Sequence, residues 1–191
     1  MTAVVPKRPA TEFPEPVVLT PQEYDALPDS SRMELVDGVL HVMTPATRRH
    51  QEIVEAVKAA LKAVCPDHLV IVREQEVRLA DLHRRNPDVM AVLKAVDGPD
   101  VYGFEPKDVV LVVEVVSPRT PTIDRLHKPA EYAAANIGHF WRIEIGGDIE
   151  VHTYRLGETG RYLESGLFTA GDTVAAPGLP WAKVEVADLE P

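Results

Sequence analysis

A single cysteine, Cys65, stands in this chain of 191 residues, so no disulfide can form within it, and a reducing cytoplasmic setting is expected. Long apolar runs are missing too. The longest, Val109 to Val116, is interrupted by Glu114 and falls far short of the roughly 20 residues that cross a bilayer, so no membrane segment is expected. The N-terminus, Met1 to Pro16, sets Pro6, Pro9, Pro14 and Pro16 among charges and lacks the apolar centre of a signal peptide. It reads as a flexible tail, 1–16, ahead of a single domain over 17–191. Internal repeats and low-complexity blocks are absent.

Positive charge is also short: 20 Lys and Arg face 30 Asp and Glu, a formal net charge of −10. Phosphate binding draws most of its affinity from Lys and Arg, so this balance weighs against a tight, nonspecific grip on nucleic acid. Charge can still be local. Arginines cluster at Arg48–Arg49 and Arg84–Arg85, with Arg119, Arg125 and Lys128 further on, although solvated surface arginines explain each cluster equally well. What is present is ordinary globular composition, 45% hydrophobic and 26% charged.

Local patterns then order the chain. Thr20-Pro21-Gln22-Glu23 combines a capping hydroxyl, a first-turn proline and a capping-box glutamate, and predicts a short helix to about Leu27. Met33 to Val36 and Val39 to Met43 flank Asp37-Gly38, a pair that favours the left-handed backbone of a tight hairpin. Ile53, Val54, Val57, Ala60, Leu61 and Val64 recur at helical spacing and predict an amphipathic helix from Arg49 to about Val64. Leu69 to Leu79 reads as one strand, Ala80 to Asn86 as a polar loop and Asp88 to Leu93 as a second, antiparallel strand. Asp108 to Val116 is nearly continuous valine and leucine, the mark of a central strand covered on both faces. Thr122 to Asn136 is expected to be helical and to stop near Gly138. His139 to Ile145, Ile149 to Leu156 and Arg161 to Phe168 complete a set of late hairpins, whose edges, with Trp141 and Trp181 read as exposed, suggest a homodimer contact. The fold class expected is α/β: a mixed central sheet flanked by helices, with N-terminal and C-terminal β-hairpins.

Within Val110, Val112, Glu114 and Val116, the glutamate shares a strand face that should otherwise be aliphatic. A buried carboxylate needs a cation, a metal or dense hydrogen bonding, and a structural salt bridge answers that need as well as a catalytic site does. Asp88, after Pro87, would converge with Glu114 if their strands are neighbours. Two such carboxylates form a hard-oxygen site suited to Mg²⁺ or Mn²⁺, and the alternative for Asp88 is a turn cap. Asp124, Lys128 and Tyr132 recur every four residues on one helical face. From there Lys128 could orient water, offset phosphorane charge or, with its pKa lowered by burial, act as a base; an ordinary surface pair with Asp124 is the plainer reading. No cysteine or serine nucleophile is supported, and the remaining histidines show no metal-ligand spacing.

Pro87-Asp88, Glu114-Val115-Val116 and Lys128 resemble the PD-(D/E)XK nuclease superfamily with the lysine displaced, since Val116 stands where that superfamily keeps it. Glu34-Leu35-Val36-Asp37-Gly38, His50 and Glu114-Val115-Val116-Ser117-Pro118, with Thr120, Asp124, Lys128 and Tyr132, are similar to the bacterial family called Uma two, over roughly Leu19 to Glu144. The resemblance implies a restriction-endonuclease-like fold and a divalent ion, Mg²⁺ or Mn²⁺, held by Asp88 and Glu114. It also implies that Lys128 is supplied from the following helix, that Glu34 is an additional acid and that DNA is the substrate. His50 would contact a phosphate, stand behind the metal ligands or simply cap its helix. The rival expectation is a binding or scaffold protein that keeps this fold with little catalysis.

Overall fold

A computed structural model describes residues 15–27, 33–43, 45–116 and 121–190. Most of the expected tail lies outside these residues, as do Ser117, Pro118, Arg119 and Thr120 of the family pattern.

The N-terminal signals act as their chemistry dictates. Thr20 caps helix α1 (Pro21–Asp25), and Glu23 closes the capping box by returning its side chain to the Thr20 backbone. Strands β1 (Met33–Val36) and β2 (Val39–Val42) pair antiparallel about Asp37 and Gly38, both at positive φ, as a two-residue hairpin requires. The amphipathic helix is α2 (Arg48–Val64), capped by Thr47 and burying Ile53, Val54, Val57 and Leu61.

The stretch expected to be one strand is two. β3 (Leu69–Arg73) ends at Glu74, whose φ of +49° turns the chain out of one sheet and into another, where β4 (Glu76–Ala80) begins. Part of the expected polar loop is β5 (His83–Arg85), paired with both β4 and β1. The chain then crosses back through Asn86-Pro87-Asp88 into β6 (Val89–Leu93), antiparallel to β3 as expected. These two crossings lie together, because the Glu74 amide donates to the Pro87 and Asp88 carbonyls. They form a seam between the sheets.

After the short β7 (Gly103–Phe104) comes β8 (Val109–Val115), central in its sheet between antiparallel β6 and parallel β9 (His139–Glu144). The parallel step requires a crossover, and the helical segment after Pro121 supplies it. That segment is not one continuous α-helix. Ile123–His127 forms a π-turn, with the Lys128 amide reaching back to the Ile123 carbonyl, before α3 (Lys128–Ala134). Pro129 lacks an N–H and crowds the preceding turn, which accounts for the widening at that point. The helix ends at Asn136, φ +62°, rather than at Gly138. The Ile137 and Asn136 amides donate to the Tyr132 and Ala133 carbonyls in a Schellman arrangement, which asparagine tolerates nearly as well as glycine.

β10 (Glu150–Leu156) and β11 (Tyr162–Phe168) extend the sheet outward from β9, and β12 (Thr173–Ala175) pairs with β13 (Lys183–Glu185) against α2. Among the described residues the two larger sheets run β2-β1-β5-β4-β7 and β11-β10-β9-β8-β6-β3. One face of the latter packs α2 and the C-terminal hairpin through Leu111, Val113 and Val115; the other packs Val112 and Phe140 against Tyr132 of α3. Mixed sheets flanked by helices, with early and late hairpins, are the fold class expected. Trp141, read from sequence as exposed, is 1% exposed and sits in the core, so it offers nothing to a partner; Trp181 is partly buried against the same core. No described helix is long and apolar enough to cross a membrane.

Candidate metal and phosphodiester site

Strand alternation puts Glu114 on the α3 side of β8, with Val112, while its neighbours Val113 and Val115 enter the opposite core. Its side chain is 1% exposed, and protein donors meet both of its oxygens. Lys128 Nζ donates to Oε2 at 2.8 Å and the Tyr132 hydroxyl to Oε1 at 2.6 Å. Lys128 also stands 3.5 Å from Asp124, and both are buried. The spacing of Asp124, Lys128 and Tyr132 therefore does place them on one face, and the ordinary surface pair is excluded by burial.

Asp88 sits where β6 leaves the seam, beside the end of β8. Its Oδ2 accepts the Val115 amide at 2.7 Å and lies 3.4 Å from His50 Nε2, which is itself 3.0 Å from the Val115 carbonyl. His50 is held above the ordinary histidine range: burial opposes the charged ring, but the Asp88 carboxylate and the Val115 carbonyl outweigh it. Its Nδ1 has no hydrogen-bond partner among the described residues. From the other sheet comes Glu34, whose Oε2 accepts from Arg85 at 2.7 Å and whose Oε1 accepts from the Asn86 amide at 3.1 Å.

Glu34, His50, Asp88, Glu114, Asp124 and Lys128 line one cleft at the seam, with a volume of about 700 Å³. Tyr132 lies behind Glu114. All seven residues singled out from the sequence thus belong to one neighbourhood. Two residues that hold Glu34, Arg85 and Asn86, were not singled out; the sequence leaves Arg84–Arg85 open between a local basic cluster and solvated surface charge. Arg84 and Arg85 are in fact both buried in ion pairs and not spare for phosphate, whereas Arg48 and Arg125 stand exposed in surface pairs with Glu52 and Glu144.

Four carboxylates, Glu34, Asp88, Glu114 and Asp124, face one lysine. Burial first, and the nearby Asp88 and Asp124 carboxylates in addition, push Glu114 up to about 8 despite Lys128. Lys128 moves upward too. Burial pulls its ammonium down, but Glu114, Glu34, Asp124 and Asp88 together outweigh that and hold it charged above the usual lysine range. The expectation that burial would lower Lys128 into service as a base is therefore corrected; the surrounding acids reverse the sign. The two shifts differ in cause: burial dominates at Glu114, and the surrounding acids dominate at Lys128.

No three His, Cys, Asp or Glu side chains among the described residues converge as a closed cage for a metal. Magnesium seldom needs one, since it keeps waters and is commonly bound by one or two carboxylates plus substrate phosphate oxygens. Asp88 and Glu114, hard oxygen donors on adjacent strands in an acid-rich cleft, fit that mode.

The model of a family described as "Uma2: Putative restriction endonuclease" matches residues 21–187. No curated protein matches. Among solved structures, a protein from Anabaena variabilis described as "a putative nuclease belonging to DUF820" is similar in fold, with a TM-score of 0.67 at 16% identity, covering 90% of this chain and 97% of that one.

Proposed function

The chain belongs to the Uma2 family of restriction-endonuclease-like proteins, and from that premise we propose that it is a divalent-metal-dependent endonuclease that hydrolyses DNA phosphodiester bonds. The observation that carries the reading is the acid-rich cleft at the seam, where Glu34, Asp88, Glu114 and Asp124 share one lining with Lys128, which pairs with Glu114 and Asp124.

Asp88 and Glu114 would hold Mg²⁺ or Mn²⁺. Such an ion supplies Lewis-acid polarisation of a phosphoryl oxygen and a water acidic enough to attack at neutral pH. The protein's own groups do the rest. Lys128, kept protonated by its acids, offers positive charge to the phosphorane rather than accepting a proton. The Val115 amide and His50 fix Asp88, and the Tyr132 hydroxyl fixes Glu114, so both carboxylates are oriented before substrate arrives.

The test is cleavage of plasmid and single-stranded DNA in Mg²⁺ or Mn²⁺ by wild type beside Asp88→Ala and Lys128→Ala. Metal-dependent cutting by wild type alone is expected; equal cutting by a folded Lys128→Ala would remove the lysine's role. A second reading, a nucleic-acid-binding or scaffold protein on this fold, is favoured by one observation: Glu114 already has both oxygens engaged by the chain's own donors. DNA affinity that survives chelator and responds only to salt would support it. A homodimer that pools two clefts on one substrate completes the proposal, and light scattering at micromolar concentration is expected to give twice the chain mass, with a monomeric mass removing it.

A further inference from the structure

We propose that Arg85 is a positioning residue of the cleft, acting through Glu34 and tying the acid on β1 to the helix that carries Lys128. The inference rests on the metal-site reading above and adds a residue to it.

Arg85 is 5% exposed and its guanidinium is divided between two elements. Nη1 donates to Glu34 Oε2 at 2.7 Å on the cleft wall. Nε and Nη2 fork onto Glu131 of α3, at 2.7 and 2.8 Å. Glu131 is one residue before Tyr132 and three after Lys128, so the fork fixes the same helical turn that serves Glu114. His83 Nε2, 3.1 Å from Glu131 Oε2, and Asp37 Oδ1, 3.4 Å from His83 Nδ1, carry the ladder out to the β1–β2 turn. Three elements, β1, β5 and α3, are thereby clamped by one planar cation whose five donors suit a bidentate carboxylate and a second acceptor at once.

The arrangement has a consequence for Lys128. Glu34 lines the same cleft as Lys128, yet its oxygens are taken by Arg85 and the Asn86 amide. Without Arg85, Glu34 would be a buried acid seeking a cation, and Lys128 lines the same cleft. Arg85 keeps Glu34 on the cleft wall and leaves Lys128 to Glu114. Lysine cannot replace it fully, since one ammonium lacks the fork that spans Glu34 and Glu131.

The experiment is a double-mutant cycle on Mn²⁺ affinity, read by calorimetry on the full chain. Groups that orient metal ligands from behind typically contribute 10- to 100-fold in affinity. Arg85→Gln is expected to weaken Mn²⁺ binding by roughly tenfold, and Arg85→Lys to recover only part of that loss. In a Glu34→Gln background the same Arg85→Gln change is expected to alter affinity by less than about twofold, because the residue it acts through is gone. If the two losses simply multiply, Arg85 is a structural ion pair and the inference fails. It fails as well if Glu34→Gln binds Mn²⁺ like wild type. Should Arg85→Gln not fold, the cycle is run with Arg85→Lys, which keeps the charge. Absence of Mn²⁺ binding by wild type would instead overturn the metal-site reading and this inference with it, an outcome distinct from multiplicative losses.

Discussion

Among the described residues two ion clusters with buried members differ in balance. In the sheet built on β4 and β5, Arg84 meets Glu76 at 3.2 Å and Asp25 at 3.4 Å, Arg78 meets the same Glu76 at 2.9 Å, and the Arg84 guanidinium lies over the Tyr24 ring. Two arginines answer two acids, and none of these residues lines the cleft. At the seam, Glu34, Asp88, Glu114 and Asp124 share Lys128 and one end of Arg85. A buried acid on a buried cation is common to both, so burial alone does not mark function. On the metal-site proposal, the difference is that the acids at the seam would take an added cation.

The comparison can be broken in several ways. The largest effect expected is on catalysis: Lys128→Ala should lower DNA cleavage by on the order of 10²- to 10³-fold with the fold kept, and Glu76→Gln should leave the cleavage rate of folded protein near wild type. Plasmid nicking assays read both. Next, Arg84→Met removes one of the two cations on buried Glu76 and leaves Arg78, so it should cost about 1–3 kcal/mol in denaturant unfolding, with Mn²⁺ affinity unchanged. A metal affinity that fell with Arg84→Met would erase the distinction between the clusters.

A smaller and opposite effect sharpens it. Lys128→Met removes the cation that competes for Glu114, so Mn²⁺ binding should tighten by roughly tenfold even as cleavage is lost, an effect of about 1.4 kcal/mol. Weaker binding would mean that Lys128 helps to hold the ion. A further effect is in pH dependence with chelator present. Glu114 in the folded chain lies near 8 against an ordinary value of 4.5, so the folded state holds the extra proton between these values. Its contribution is present below about 4.5 and lost as pH rises through about 8, so wild-type stability should fall across that window. Glu114→Gln, which cannot ionise, should flatten this part of the profile in pH-stepped thermal unfolding.

How much of this could be read from the chain alone follows from the range of each interaction. The Thr20 cap, the Asp37-Gly38 turn and the alternation that singles out Glu114 are local signals, and each appears where the residues place it. The family pattern brought Asp88, Lys128, Glu34, His50, Asp124 and Tyr132 to attention together. What was missed depends on geometry that no short window contains. The break at Glu74 is a positive-φ residue within an apolar stretch that otherwise reads as one strand. The π-turn before Pro129 and the stop at Asn136 are choices among nearly equal backbone solutions. Arg85 looked like surface charge because its partners, Glu34 and Glu131, are 51 and 46 residues away. Trp141 was misread because the strand β10 and the C-terminal hairpin that cover it come later in the chain.

The central claim, that the acid excess at the seam is a divalent-cation site, is tested most directly by titrating Mn²⁺ into wild type and Asp88→Ala and following free Mn²⁺ by electron paramagnetic resonance. The account predicts saturable loss of the free-ion signal with wild type and little or none with Asp88→Ala. Unchanged free Mn²⁺ with wild type, or equal binding by a folded Asp88→Ala, would contradict it.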